Sequence, residues 1–432
     1  MKEQSNIPKH KIGRAAALLG AGARVGANYL KYRGLQKLTG HDGRAAFHEA
    51  TAAQAFETFS HLKGGPLKLA QMLSLDRNLL PEPYADAFAQ ARYSAPPLSY
   101  PLVVRTVQRE TGRRPDELFD TFSQQAIAGA SIGQVHRATQ GGRDLAVKIQ
   151  YPGIADSVRS DLAIVKPLAM RLFNLNAHAI APYLAEVESR LLEETDYTLE
   201  LHRSQDLAAR SSHLPRTRFP DFLPALSSRR ILTMEWVDGE LLDAYAARQT
   251  SQAARDRIGR ALWDFYHHQI HTLRIFHADP HPGNFMVKGD ELWVLDFGCV
   301  KSLPEKFYRE YFSLMNPENL LHRERFESIL RALGLLLPDD PPRAVRKLTR
   351  VFHESVALLS RPFHRGEFDF GDRGYFDELA SFGERTRQDA ELQQINTARG
   401  SADAIYLNRT YFGLYHLAGS LGARIRTTLP VM

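Results

Sequence analysis

The sequence predicts an α+β fold in two parts, a small antiparallel sheet followed by a mostly helical body, behind an all-helical stretch. Three observations carry that expectation. From about Arg44 to Glu110 the periodicity is helical, punctuated by Gly64-Gly65, Pro81 and Pro96-Pro97. From Ala126 to Gln150 the period becomes that of strands, around a Gln140-Gly141-Gly142 turn. From Leu241 onward the helical period returns, interrupted by one short hairpin.

The chain of 432 residues is 44% apolar and 24% charged, enough to bury one large core or two. Its single cysteine, Cys299, excludes an intramolecular disulfide and a Cys-based zinc cluster, and fits a reduced compartment. No apolar run approaches the roughly 20 residues that span a bilayer; near the N-terminus the longest is Ala15 to Ala23. The expected location is therefore cytoplasmic, or peripheral on the inner face of a membrane. The net charge of +6 is local: up to Leu38 eight basic residues stand against Glu3, and the remainder is nearly neutral. A nucleic-acid-binding body is not expected.

Taken in order, residues 1–38 form a basic segment. Leu18, Gly22, Val25 and Tyr29 share one helical face, and Gly22 and Gly26 make a small-xxx-small pair. That fits a helix on an anionic membrane surface or on a partner helix; a basic tail or plain surface helix fits it equally. Residues 39–115 form a helical extension, with helices expected over Ala45–Leu62, Pro66–Leu75, Pro81–Tyr93 and Pro101–Thr111. Residues 116–238 form the sheet-bearing lobe: strands over Ala126–Thr139 and Asp144–Gln150, helices from Ile154 to about Arg210, and strands near Phe222–Leu226 and Arg230–Trp236. Residues 239–432 form the helical lobe, with loops at Pro338–Pro342 and Arg361–Gly374.

The chemistry is concentrated in His277-Ala278-Asp279-Pro280-His281-Pro282-Gly283-Asn284, followed by Asp296-Phe297-Gly298. A carboxylate, an amide five residues on, and a second carboxylate beside a glycine make a phosphoryl-transfer constellation. In such sites the first Asp orients the nucleophile, and the Asn and second Asp hold Mg²⁺ against a triphosphate. The hairpin between them is readable as Asn284–Val287, a Lys288-Gly289-Asp290 turn and Leu292–Leu295. His277 and His281, separated by prolines, do not share a helical face as zinc-binding histidines do. Cys299 reads as a small core residue.

Upstream, Ala146-Val147-Lys148-Ile149 lies on the second strand of the first hairpin. A lysine there reaches α/β-phosphates when a helix carboxylate fixes its ammonium, and Glu200 is the best partner. Ala128-Gly129-Ala130-Ser131 opens a run of small residues through Gly133, whose backbone N–H groups can approach phosphate oxygens; a plain tight turn reads the same way. Ile231–Val237 reads as a strand entering a hinge. Backbone groups of Glu235 and Val237 would meet an adenine edge and Met234 would line the pocket, although a ligand-free core strand has the same pattern.

With this order of motifs, the chain from about Phe56 to Arg424 resembles the UbiB-type, AarF-domain atypical kinases, a protein-kinase-like family. Leu67-Lys68-Leu69-Ala70-Gln71 is similar to that family's KxGQ signature and Glu194-Thr195-Asp196 to its ExD signature. The Ala-rich loop, Lys148–Ile154 and Tyr406-Leu407-Asn408-Arg409 match as well. The resemblance implies a two-lobed protein-kinase-like fold, a small N-lobe and a helical C-lobe, with Mg²⁺ and ATP as cofactors. It implies that Lys68 and Gln71, on a helix over the nucleotide pocket, face Glu194 and Asp196 and exclude a peptide substrate. Two departures stand out: Ala70 replaces a family glycine, and Gly129 replaces a usual alanine.

The function implied is an ATPase or small-molecule kinase serving ubiquinone or isoprenoid-lipid biosynthesis, with anionic or isoprenoid lipid and a biosynthetic protein complex as partners. Two rivals are an ATP-binding scaffold without catalysis and a phosphotransferase of the antibiotic-kinase kind.

Overall fold

The computed structural model describes residues 49–53, 98–130, 132–172, 185, 188, 189, 191–364, 366–395 and 399–428. These fall into two compact units. One comprises the described part of Met1–His202 with Asp221–Trp236; the other comprises Arg203–Pro220 and the described part of Val237–Met432. Residues 203–220 thus belong with the C-terminal unit, so the division is not the single cut after residue 238 that the sequence proposes.

The first unit is built on an antiparallel sheet. Helix α1 (Tyr100–Thr111) starts with Pro101 in its first turn, where a missing N–H costs nothing, and ends at Gly112 with φ +75°. Strands β1 (Thr121–Phe122), β2 (Ala128–Gly129), β3 (Gly133–Gln140), β4 (Arg143–Gln150) and β6 (Ile231–Glu235) run in the order β1-β3-β4-β6, with β2 pairing β3. Gly141 and Gly142 both have positive φ and close the β3–β4 hairpin in two residues, as a primed turn requires. Side chains directly opposite each other share a sheet face. One face therefore carries Val135, Ala146, Lys148, Leu232 and Met234. Val103 and Val107 of α1 pack with Val147 and Ile149 in the buried core that includes the opposite face. Helix α2 (Ile154–Leu172) follows β4, and α3 (Tyr197–Ser211) follows the turn at Thr195-Asp196.

Two expectations change here. The strand foreseen over Ala126–Thr139 is two strands, β2 and β3, folded on each other at the loop. Phe222–Leu226 is not a strand: Pro224 lacks an N–H for a ladder, and only the Phe222 bridge precedes a 3₁₀ turn over Pro224–Leu226.

The second unit packs helices around short sheets. Strand β5 (Thr217–Arg218) runs parallel to β10 (Glu291–Val294), which pairs with β9 (Phe285–Lys288), which pairs with β7 (Glu240–Leu241). The turn between β9 and β10 holds Gly289 at φ +61°, as the expected Lys288-Gly289-Asp290 turn requires. Helix α4 (Gln252–His267) buries Ile258, Leu262, Trp263, Phe265 and Tyr266, runs on as a π-helical turn over His268–Leu273, and stops at Arg274 with φ +55°. Strand β8 (Ile275–His277) then pairs with β11 (Val300–Ser302). Helices α5 (Glu305–Leu314), α6 (Pro342–Ser360), α7 (Arg373–Gln388) and α8 (Ala402–Leu421) belong to the same unit, with shorter helices between them. The presumed loop at Arg361–Gly374 contains a 3₁₀ turn and β12 (Glu367–Asp369), which pairs with β13 (Arg424–Arg426). Among the described residues no helix is long and apolar enough to cross a membrane.

Candidate active site

Lys148 sits in the middle strand of the first unit's sheet, opposite Val135 and Leu232. Its ammonium lies 2.7 Å from Glu200 Oε1, with only 8% and 4% of the two side chains exposed. The Tyr197 ring lies 5.0 Å from the same nitrogen. A charge so buried is held only by a partner of this kind. The partner is placed by the start of α3: Asp196 Oδ1 accepts the N–H of Thr198 at 3.0 Å and of Leu199 at 3.4 Å, and Glu200 stands one turn inside. Arg229 lies 3.6 Å from Asp196 Oδ2. Asp196 thus works as a helix cap. Glu194 is half-buried just before that turn. Lys68 and Gln71, expected to face this pair, lie outside the described residues, as does Ser131.

The Ala-rich loop is a tight hairpin. Ala130 N–H donates to Gly133 O at 2.8 Å and Gly133 N–H returns to Ala130 O at 3.4 Å. Ala128 and Gly129 are exposed. A Cβ on Gly129 would meet nothing within 4 Å, whereas one on Gly133 would overlap the Ile149 carbonyl oxygen and lie 2.8 Å from the Tyr197 hydroxyl. Gly133 is therefore the residue whose small size the loop needs. Met234 is buried opposite Ala146. At the expected hinge the Glu235 N–H donates to Asp221 O at 2.8 Å. That commits the donor, so only the carbonyl of Glu235 can serve an adenine edge. Val237, also buried, belongs to the second unit.

In the second unit the loop expected to be catalytic leaves β8 at His277, fully buried, whose N–H donates to Gln269 Oε1 at 2.8 Å. The Tyr266 hydroxyl lies 3.2 Å from His277 Nδ1. Burial, reinforced by the nearby Asp279 carboxylate, pushes the Tyr266 phenol well up, so it remains a donor. The Asp279 carbonyl accepts the His281 N–H at 2.8 Å and Asn284 Nδ2 at 2.9 Å. Asp279 Oδ1 lies 3.0 Å from Arg409 Nη2, contributed by α8. Leu295 N–H donates to Asn284 O at 2.9 Å, and Gly298 N–H to Asp296 Oδ1 at 2.9 Å. Phe297 is buried against Phe219 and Phe265.

This donor set fits a hard divalent ion. The amide nitrogen of Asn284 donates to the Asp279 carbonyl, which leaves its oxygen to act as an acceptor, and Asp296 supplies a carboxylate. Asn284, Asp296 and Asp279 are thus brought together on one strand–loop–hairpin segment, and Lys148 and Glu200 are brought together in the first unit. Sequence reasoning placed Gly133 within the phosphate-approaching run without singling it out, and did not assign roles to Gln269, Tyr266 or Arg409. A run of small residues pointed near Gly133; Arg409 lay within a noted segment but carried no local signal.

A sheet-borne lysine paired with a helix glutamate, and an Asp–Asn–Asp set around a hairpin, define a two-lobed protein-kinase-like α+β protein. The comparisons agree, and the chain belongs to the ABC1 atypical kinase-like domain family, which matches residues 90–325. It is 28% identical over 89% of its length to a probable serine/threonine-protein kinase, abkA, of Dictyostelium discoideum, covering 70% of that protein. It is 27% identical over 85% of its length to the mitochondrial atypical kinase COQ8B of Rattus norvegicus, covering 71% of it. Among solved structures, the Rv3197–erythromycin complex from Mycobacterium tuberculosis matches with TM-score 0.58 and 27% identity, over 89% of this chain and 95% of that one.

Proposed function

We propose that this chain binds Mg²⁺–ATP and hydrolyses it, or transfers its phosphoryl group to a small hydroxylated acceptor, in support of ubiquinone or isoprenoid-lipid biosynthesis at a membrane surface. The observation that carries the reading is the buried Lys148–Glu200 pair, because an ammonium held this way on a sheet face that also carries Ala146 and Met234 would suit phosphate oxygens. Asn284 and Asp296 would hold the ion, which neutralises charge on the triphosphate. Asp279 would orient the attacking hydroxyl or water. Val135, Ala146 and Met234 offer an apolar surface to the adenine ring.

Transfer to a protein is disfavoured, on the expectation that the helix bearing Lys68 and Gln71 fills a peptide groove. The lipid setting rests on the family and on the basic segment at residues 1–38. The test is Mg²⁺-dependent ATP hydrolysis by the full chain, with and without anionic vesicles, beside an Asp279→Asn control. Hydrolysis that rises with vesicles and disappears in the variant supports the reading; wild-type protein that neither binds nor hydrolyses ATP ends it. Nucleotide-dependent partner binding that survives Asp279→Asn, without turnover in the parent, would favour a scaffold.

A second reading has one observation in its favour: a structural relative is described in complex with erythromycin, a hydroxylated macrolide. An acceptor screen that includes macrolides, read by phosphate transfer, decides between the two.

A further inference from the structure

We propose that α8 is a clamp on the catalytic loop and that Arg409 is the positioning residue for Asp279. Three residues on one face of this helix, at spacings of three and four, meet the loop and the strand beside it. Tyr406 places its ring 3.9 Å from Lys301 Nζ, on β11, the strand that pairs with β8 and leads away from Asp-Phe-Gly. Arg409 reaches the Asp279 carboxylate at 3.0 Å, the two side chains 20% and 29% exposed. Gly413 lies under Pro280: a Cβ there would overlap the proline ring and come within 3.2 Å of the Pro280 carbonyl oxygen.

The clamp is anchored from behind. Leu407, Tyr411, Leu414 and Tyr415 are buried, and Tyr415 stacks at 6.1 Å on Trp263 of α4. Tyr311 of α5 donates to Asn408 Oδ1. A guanidinium on a stem fixed this way sets where the Asp279 carboxylate points, while Gly413 lets the helix approach closely enough for the contact to form. A planar guanidinium is not matched here by an ammonium on a flexible stem. The consequence is separable from nucleotide binding, because the carboxylate Arg409 meets belongs to Asp279, whose proposed part is to orient the attacking group and not to hold phosphate or metal.

The catalytic part of this inference rests on the phosphoryl-transfer reading, so the experiment has an arm that does not. In the full chain, Arg409→Met, Arg409→Lys, Gly413→Ala and, as a control on the exposed side of the same helix, His416→Ala are compared by Mg²⁺–ADP titration calorimetry, ATPase kinetics and amide hydrogen exchange. Misplacing a reacting group by about 1 Å costs up to roughly 100-fold in rate. Arg409→Met and Gly413→Ala should therefore lower kcat roughly 10- to 100-fold with KM and nucleotide affinity within about two-fold, Arg409→Lys should recover part of the loss, and His416→Ala should match the parent. Exchange in residues 277–285 should quicken at least about tenfold in Arg409→Met alone of the two helix-surface variants. An unchanged kcat in Arg409→Met, or a loss that tracks nucleotide affinity, overturns the proposal. If the parent has no ATPase activity, the phosphoryl reading fails separately, and unchanged exchange in residues 277–285 then overturns the clamp.

Discussion

Glu200→Gln is the most informative single change. Glu200 Oε1 lies 2.7 Å from Lys148 Nζ, and both side chains are more than nine-tenths buried. The amide is nearly isosteric, so no cavity forms; what disappears is the compensating charge. Removing one member of a buried pair costs about 3–5 kcal/mol, because the remaining ion has lost its compensating charge in a site away from water. Each kcal/mol lowers Tm by roughly 2–4 °C in a domain of 150–250 residues, which gives a fall of about 6–20 °C. The Tyr197 ring, 5.0 Å away, offsets about 1–2 kcal/mol at most and favours the lower half of that range. The second arm is Lys148→Met/Glu200→Leu, which removes both charges and keeps apolar bulk. It should restore Tm to within a few degrees while abolishing ATP hydrolysis. Differential scanning fluorimetry on the parent, the singles Lys148→Met and Glu200→Leu and their double reads the cycle, with Glu200→Gln beside it. A Glu200→Gln loss below about 1 kcal/mol, or a double variant equal to the sum of its singles, would show that the pair is not a coupled buried interaction.

Gly133→Ala should lower Tm by the equivalent of about 1–3 kcal/mol through overpacking against Ile149 O and Tyr197; unchanged Tm and nucleotide affinity would contradict the close approach. Gly129→Ala meets nothing within 4 Å and should leave Tm unchanged, with any effect confined to the ratio of ATP to ADP affinity, measured by calorimetry. Burial, with the Arg274 charge adding, holds His271 down at about 3, and burial holds His267 well below its usual value. Both are neutral when folded and take up protons on unfolding below about 6.5, so their contribution is present above that pH and is lost as pH falls toward 3. The loss is up to about 1.4 kcal/mol per pH unit for each; unfolding midpoints between pH 7.5 and 4.5 should fall, less steeply in His271→Gln, and a flat profile refutes the assignment. Deleting residues 1–38 should weaken binding to anionic vesicles, by an amount that shrinks as salt rises; equal binding by the truncated chain excludes this segment as the contact.

The parts of the fold legible in the sequence are those whose signal is dense and local. The β3–β4 hairpin was readable because two glycines in a row supply two positive φ angles, and the β9–β10 hairpin because Gly289 does the same once. Helix α1, expected over Pro101–Thr111, was legible for equally local reasons, since Pro101 sits in its first turn. Strands β12 and β13 were hidden, since three residues each cannot establish a period and their partners lie far apart in sequence. The same distance hid the membership of residues 203–220 in the second unit: Leu292 and Trp293 pair with Thr217 and Arg218, and a two-residue parallel bridge leaves no compositional trace.

The candidate site divides along the same physical line. Asp279 and Asn284 are joined by a hydrogen bond across five residues, so their geometry is a property of the loop itself and their spacing in the sequence already encodes it. Lys148 and Glu200 are farther apart, 52 residues, yet each sits in a pattern, a β-strand and a capped helix start, that points it in a known direction. Arg409 has neither advantage. It is 130 residues from Asp279, on a helix whose arginine reads like any partly solvated cation, and tertiary packing, with Gly413 close against Pro280, brings it near. Groups that touch a ligand must be arranged by short-range backbone geometry and therefore leave motifs. Groups that hold them in place need only arrive from the correct side, and any helix that packs closely enough can supply one. Variants of Asp279 and Gly413 separate these two kinds of information: the first removes the carboxylate proposed to orient the attacking group, the second is expected to displace it while every motif remains intact.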